Sequence, residues 1–132
     1  KNAQLQKFSY TGYTKCDHIR SYRPRPIVRK SYIEEAAALI KGASLNYVND
    51  SAPMHLASAT GAPVAAIYCS TVPDFGYGPL SDTSFIIETK QALSCRPCGL
   101  HGKKQCPQQH FNCAETITME QIYQPLQQVL HN

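Results

Sequence analysis

A short polar segment near the middle of the chain, Asp50-Ser51, stands between a predicted short strand, 45–49, and a helix-like sequence. Amide groups at the start of a helix point outward at the positive end of its dipole, and they suit a phosphate or pyrophosphate. The amides of Ala52, Met54 and His55 would take that place, and His55 could donate to a phosphate oxygen. Asp50 repels phosphate, but its carboxylate can accept hydrogen bonds from sugar hydroxyls.

A simpler interpretation of the same segment remains open. Asp50 or Ser51 can cap the helix, and His55 can be an ordinary surface residue of its first turn. Pro53 fits the first turn either way, because the missing N–H costs nothing there. The chain has no glycine-rich phosphate loop of the common types, so the residues alone leave both interpretations in place.

Four cysteines lie in a second cluster, Cys95, Cys98, Cys106 and Cys113, with His101 and His110 between them. Four thiolates can hold a tetrahedral zinc ion, and a CxxC pair supplies two of them from one turn. The second pair lacks the CxxC spacing, so reduced cysteines or a disulfide pair are alternatives. In each case we expect a structural role for the loop.

The pattern around these clusters predicts helices and parallel strands. A capping box, Ser31 to Glu34, starts a helix that ends near Gly42. Its predicted buried face is Ile33, Ala36, Ala37 and Ile40. Strands are predicted at 45–49, 63–68 and 84–89, with a helix at 54–60. The apolar run at 63–68 is typical of a strand buried on both faces, which favours a parallel sheet.

A second capping box, Thr118 to Gln121, predicts a final helix in which Pro125 should introduce a kink or an early end. The predicted buried side of this helix comprises Met119, Ile122, Tyr123, Leu126, Val129 and Leu130. The order helix, strand, helix, strand, strand, helix is that of an α/β sheet. The strands are too few for a complete doubly wound domain, so we predict part of one.

Charge and hydropathy exclude several function classes. Residues 1–30 carry eight Lys or Arg and one acid, whereas residues 31–132 carry five and eight. Beyond the first thirty residues there is no basic stripe for a nucleic-acid backbone, so we expect no nucleic-acid partner. The longest apolar run, 62–69, is far shorter than the about 20 residues of a spanning helix. No export signal opens the chain, which favours the cytosol.

Several segments resemble one known family, the ADP-heptose:lipopolysaccharide heptosyltransferases of glycosyltransferase family 9. The segment 49–59, NDSAPMHLASA, is similar to the family's donor-site motif. The segments 61–68 and 70–73, with Gly78-Pro79, look like its next strand and loop. The cysteine segment at 95–113 resembles one found in many members. The similarity runs from about Ile27 to Leu130, whereas residues 1–26 stay an unassigned basic, proline-containing segment.

The resemblance implies a bacterial enzyme of GT-B architecture, with residues 27–132 forming a partial, Rossmann-like C-terminal nucleotide-sugar-binding domain. Asp50 would bind hydroxyls of the donor heptose, and Ser51 and Ala52 would bind the pyrophosphate with Met54 and His55 nearby. Lys30 and Ser31 match the family segment beside the adenine. The family usually has glycine where this chain has Ala52, a change without cost if φ is negative there.

The same resemblance implies that the general base and the acceptor site belong to an N-terminal domain outside this chain. We therefore nominate no catalytic residue and expect the chain alone to be inactive. The implied donor is ADP-heptose and the implied acceptor is the lipopolysaccharide core on lipid A. The chemistry requires no cofactor, and the only metal considered is a structural zinc. We expect a cytoplasmic protein at the cytoplasmic face of the inner membrane, with at most peripheral membrane contact.

Two other interpretations of the sequence stay open. The chain could be a small zinc-stapled binding module whose basic N-terminal arm takes an anionic partner, or a truncated gene product without a function of its own. If strands are missing, an open sheet edge and an exposed apolar face would make the isolated chain aggregate.

Overall fold

A computed structural model describes residues 33–131 of the chain, which form eight elements. The α-helices are α1 (Ile33–Lys41), α2 (Ala52–Thr60), α3 (Asn112–Glu115) and α4 (Met119–His131). The strands are β1 (Asn46–Asn49), β2 (Val64–Tyr68) and β3 (Ser84–Glu88), and a 3₁₀ turn spans Pro73–Phe75. The predicted order of long helices and strands is confirmed; α3 and the 3₁₀ turn are additions that the sequence patterns did not indicate.

The three strands form one parallel sheet in the order β1-β2-β3. Asn46 aligns with Val64, and Val64 aligns with Ser84, so the strands start level with one another. Parallel strands direct all their carboxyl ends to one edge of the sheet, here called the carboxyl edge. The segments after Asn49, Tyr68 and Glu88 therefore meet there, where α/β proteins bind ligands.

The core lies on both faces of this sheet, and β2 is buried between them as predicted. One face packs with α1 and α2 through a cluster of buried residues: Ile40, Val48, Met54, Ala57, Ala62, Val64, Ala66 and Tyr68. The other face packs with α4 around Leu45, Ala65 and Ile87, joined by partly buried Ile122, Leu126 and Val129. An α/β layer arrangement, compatible with part of a Rossmann-like domain, is therefore confirmed.

The predicted buried face of α1 is wrong at its first residue. Ile33 is 72% exposed, whereas Ile40 is buried in the core. The helix meets the core at its last turn, where the Asn46 Nδ2 amide donates to the Ile40 carbonyl oxygen at 3.0 Å. The start of the predicted capping box, Ser31, lies outside the described residues.

Helix α4 begins at the predicted capping box. The Gln121 amide donates to Thr118 Oγ1 at 3.3 Å, and the Thr118 amide donates to Gln121 Oε1 at 3.0 Å. The predicted buried side is wrong for Met119, Tyr123 and Leu130, which are each more than half exposed. The stripe of the helix that packs against the sheet is narrow and comprises Ile122, Leu126 and Val129.

Pro125 lies inside α4, and the helix continues through it to His131. The predicted early end at this residue is therefore wrong. The Tyr47 hydroxyl of β1 donates to the Ile122 carbonyl oxygen. Burial raises the pKa of Tyr47, and a backbone hydrogen bond from Leu126 partly offsets this rise. Tyr47 therefore contacts α4 in the turn that contains Pro125.

Candidate functional site

The turn between β1 and α2 carries Asp50 and Ser51 at the carboxyl edge of the sheet. Ser51 is the residue before α2 and has an extended backbone, with φ of −166°. Its hydroxyl donates to Asn49 Oδ1 at 2.7 Å and makes no capping bond to the helix. The capping role suggested for a side chain of this turn is therefore not observed at Ser51, and the helix start is left without a side-chain cap.

The first turn of α2 contains one residue buried in the core, Met54, and exposed residues on its other side. Met54 is completely buried, and its amide donates to the Ser51 carbonyl oxygen at 3.0 Å. The expectation that this amide is free for a ligand is therefore wrong, because it closes the first turn instead. Ala52 is exposed and is not among the residues with positive φ, so its methyl group causes no backbone strain.

His55 lies on the exposed side of the same turn, next to the loop that follows β2. Its ring stands nearly perpendicular to that of Tyr77, at 78° with 6.5 Å between the ring centroids. The loop is also attached further along α2, where the Leu80 amide donates to Ser58 Oγ at 2.9 Å. The loop after β2 is thus positioned along α2, with Tyr77 at the His55 end.

Tyr68, the last residue of β2, lies beneath the turn and is completely buried. Its hydroxyl is 3.2 Å from Met54 Sδ and donates to the Tyr77 carbonyl oxygen at 3.0 Å. Burial, reinforced by the negative charges of Asp50 and Glu88, raises the pKa of Tyr68 to about 12. The carboxyl ends of all three strands therefore bring acidic or phenolic groups together at one edge.

The two carboxylates at this edge have different surroundings. Glu88 Oε2 lies 2.6 Å from Arg96 Nη2, and that guanidinium is mostly buried, with 12% of its side chain exposed. Asp50 forms no ion pair with any Lys or Arg among residues 33–131. The two carboxylates thus differ in their ion pairing among the described residues.

Arg96 also attaches the cysteine segment to the carboxyl edge. It donates to the carbonyl oxygens of Cys69 and Thr71, both at 2.8 Å, while the Cys98 amide donates to the Ser70 carbonyl oxygen at 2.7 Å. Gly102 approaches so closely that an added Cβ would lie 2.5 Å from Ser70 Oγ. The segment therefore packs on the loop after β2 instead of extending away from the sheet.

The four cysteines of this segment do not assemble into one cluster. Cys95 Sγ lies 4.0 Å from His110 Nε2, and hydrogen bonds from backbone amides, chiefly that of Phe111, lower the pKa of Cys106. Within the part of the chain that the structure describes, no three His, Cys, Asp or Glu residues form a group able to hold a metal ion. A zinc ion on Cys95, Cys98, Cys106 and Cys113 stays a prediction.

Three of these features were missed from the sequence. Tyr68 ends a run of apolar residues, and a phenol at the end of a buried strand is a signal for a polar contact at the sheet edge. Glu88 ends β3 in the same way, and Arg96 is the one basic residue between Lys90 and Lys103. An ion pair between Glu88 and Arg96 could have been proposed from the sequence. The position of Tyr77 beside His55 could not, because it depends on the path of the loop after β2.

A parallel α/β sheet with helices on both faces and polar groups at its carboxyl edge defines a class of ligand-binding proteins. The family model for glycosyltransferase family 9 (heptosyltransferase) matches residues 17–111, which is well over half of the chain. The chain therefore belongs to glycosyltransferase family 9. The match includes the Asp50 turn, and it starts ten residues before the similarity noted at Ile27.

Two further comparisons add no relatives. No curated protein and no solved structure matches the chain at the significance required. Lys30 and Ser31 fall within the family match but outside the described residues. Residues 1–26 also lie outside the described residues. Within residues 33–131, no helix has the length and apolar character needed to cross a membrane.

Proposed function

We propose that the chain is the donor-binding part of an inverting, heptosyltransferase-like enzyme that transfers heptose from ADP-heptose to the lipopolysaccharide core. One observation carries this proposal: Asp50, without an ion-pair partner among residues 33–131, lies at the carboxyl edge beside an uncapped helix start. This turn falls inside the segment that matches the heptosyltransferase family.

Each group of the turn has a role suited to its chemistry. Asp50 accepts hydrogen bonds from heptose hydroxyls, while Ser51, the amide of Ala52 and the His55 ring hold the pyrophosphate at the positive end of α2. Met54 acts through its buried side chain, which fixes the first turn from beneath. Lys30 and Ser31 would lie beside the adenine.

This assignment supplies one half of a transfer reaction. Inverting transfer needs a base that deprotonates the acceptor hydroxyl and a site that stabilises the departing diphosphate. The start of α2 would stabilise the departing diphosphate. We assign the base and the acceptor site to an N-terminal domain of a GT-B enzyme. The chain alone is then inactive, and neither step needs a cofactor.

The acceptor sets the proposed location and partners. Because the lipopolysaccharide core is carried on lipid A, the enzyme would work at the cytoplasmic face of the inner membrane through peripheral contact. Of the other interpretations, the zinc-stapled module with a basic arm is less favoured, because the family match includes the Asp50 turn.

Calorimetric titration of ADP-heptose and ADP, with UDP and GDP as comparators, tests the donor site. We expect the folded chain to prefer adenine nucleotides. Asp50→Ala should weaken ADP-heptose binding roughly tenfold to a hundredfold, as expected for lost hydrogen bonds to a charged group. The exposed Asp82 provides the matched control Asp82→Ala, which should leave the affinity unchanged.

His55→Ala should weaken both ADP and ADP-heptose, because both carry the pyrophosphate. His131→Ala removes an exposed histidine at the far end of α4 and serves as its control. Circular dichroism of each variant establishes that it is folded. A folded chain that binds none of these nucleotides would contradict the proposal.

The proposed structural zinc is tested separately by metal analysis of protein purified without chelators. About one zinc per chain, lost in Cys95→Ser, supports the cysteine site. A folded, metal-free chain whose thermal stability does not change on zinc addition would exclude it.

A further inference from the structure

Tyr77 presents an aromatic ring to solvent while its backbone is firmly held. The residue follows Gly76, whose left-handed φ of 87° ends the 3₁₀ turn. Its carbonyl oxygen accepts the 3.0 Å hydrogen bond from the buried Tyr68 hydroxyl, yet 52% of the residue is exposed. A ring positioned in this way loses little conformational freedom when a ligand covers it.

The Tyr77 ring lies beside one residue of the proposed donor site. His55, on the first turn of α2, meets it edge to face at 6.5 Å. Tyr68, which holds the Tyr77 backbone, also lies close enough to Asp50 for that charge to affect its phenol. Tyr77 and Asp50 are therefore both neighbours of Tyr68, and His55 stands beside the ring.

We propose that Tyr77 is a specificity-determining residue that stacks against the sugar ring of the nucleotide-sugar donor, a role that rests on the proposed function. The C–H groups of a sugar ring carry partial positive charge and form an apolar patch, which suits the negative face of an aromatic ring. Asp50 would bind the hydroxyls at the rim of the same sugar. Such a pair of one aromatic surface and one oriented polar group is common in ligand sites.

Binding experiments with ADP-heptose and with ADP distinguish contacts to the sugar from contacts to the nucleotide. ADP carries the pyrophosphate contacts of α2 but lacks the sugar, so Tyr77 should contribute to ADP-heptose binding and not to ADP binding. The variants are Tyr77→Leu, which removes the ring but keeps an apolar side chain, and Tyr77→Phe, which keeps the ring. Leu80→Ala is the control, since Leu80 is 83% exposed on the same loop and its backbone contact to Ser58 is retained.

Calorimetric titration of ADP-heptose and ADP into the chain and these variants gives the test. Tyr77→Leu should raise the Kd for ADP-heptose roughly threefold to tenfold, the range expected for one aromatic contact. The Kd for ADP should stay within about twofold, with Tyr77→Phe and Leu80→Ala close to the unmodified chain by the same reasoning.

The outcomes separate this inference from the function on which it rests. If Asp50→Ala weakens ADP-heptose binding but Tyr77→Leu does not, the stacking role is wrong and the donor site stands. Equal losses for ADP and ADP-heptose in Tyr77→Leu would also overturn stacking on the sugar. If neither Asp50→Ala nor Tyr77→Leu changes ADP-heptose binding, the proposed function itself fails.

Discussion

The Asp50 turn and the cysteine segment meet the same edge of the sheet, but their polar groups are used differently. Arg96 of the cysteine segment bonds to Glu88 and to the carbonyl oxygens of Cys69 and Thr71. Asp50 has no such ion pair among residues 33–131, and no side chain caps the helix that follows it. The first arrangement supports the edge, and the second is the one that we propose binds a ligand.

This difference separates stability from binding in a way that mutations can test. A residue whose bonds are all within the protein should affect mainly the free energy of unfolding when it is removed. A residue left open toward a ligand should affect mainly affinity. The proposed difference is wrong if mutations in the two regions change the free energy of unfolding and the ligand affinity in the same way.

The largest effect on stability is expected for Arg96→Met. The change removes three hydrogen bonds of a mostly buried guanidinium and leaves Glu88 without its partner. We expect the free energy of unfolding, measured by urea denaturation, to fall by about 3 kcal/mol. Asp50→Ala should change it by no more than about 0.5 kcal/mol, because the side chain is not tied into the protein by an ion pair.

A double variant sharpens this result. Glu88→Gln combined with Arg96→Met removes the unpaired charge, so it should be more stable than Arg96→Met alone. The folded Arg96→Met chain should keep its ADP-heptose affinity within about threefold. An affinity loss as large as that of Asp50→Ala would show that the two regions do not differ in role.

A smaller effect is expected at Tyr68, which lies between the two regions. Tyr68→Phe removes the hydrogen bond to the Tyr77 carbonyl oxygen and the contact with Met54 Sδ, and it should cost about 1 kcal/mol at neutral pH. The pKa of Tyr68 is raised to about 12, so the folded state holds this proton more tightly than the unfolded chain does. The stability from this group is complete below about pH 10 and is lost as the pH rises toward 12.

Denaturation at several alkaline pH values measures this dependence. The unmodified chain should lose stability more steeply above about pH 10 than Tyr68→Phe does. Part of the slope should remain in the variant, because burial also raises the pKa of Tyr47. An unchanged slope in Tyr68→Phe would contradict the assignment.

The smallest effect is expected where the cysteine segment touches the loop after β2. Gly102 and Gly99 both have positive φ, of 68° and 79°, so alanine at either position is strained by about 1 kcal/mol. Only at Gly102 does the added methyl group meet Ser70. Gly102→Ala should therefore unfold at a lower temperature than Gly99→Ala, and equal melting temperatures would argue against this close packing.

Local patterns were sufficient to predict most of the scaffold. The apolar run of β2 and the Thr118 capping box are signals carried by neighbouring residues, and the structure contains both features. The position of Asp50 at a strand end followed from the same signals. The parallel sheet then placed it at an edge with the two other strand ends.

The errors fall where distant contacts decide the outcome. The exposure of Ile33 and Met119 depends on how far each helix extends past the sheet, which periodicity does not determine. The Glu88–Arg96 ion pair and the Tyr77–His55 contact depend on the paths of two long loops. The amide of Met54 was assigned to a ligand because amides in the first turn of a helix are usually free. In the structure this amide donates a hydrogen bond to the Ser51 carbonyl oxygen.

The contact of Tyr47 with α4 next to Pro125 has a consequence for the order in which the molecule opens. Apolar contacts between α4 and the sheet have no preferred direction. The Tyr47 hydroxyl, in contrast, bonds to one particular carbonyl oxygen of the helix. This bond joins residues 75 positions apart and therefore breaks as soon as the C-terminal helix leaves the sheet. In hydrogen-exchange terms, α4 forms a unit that can open before β2, and the Tyr47 hydroxyl fixes the register to which it returns.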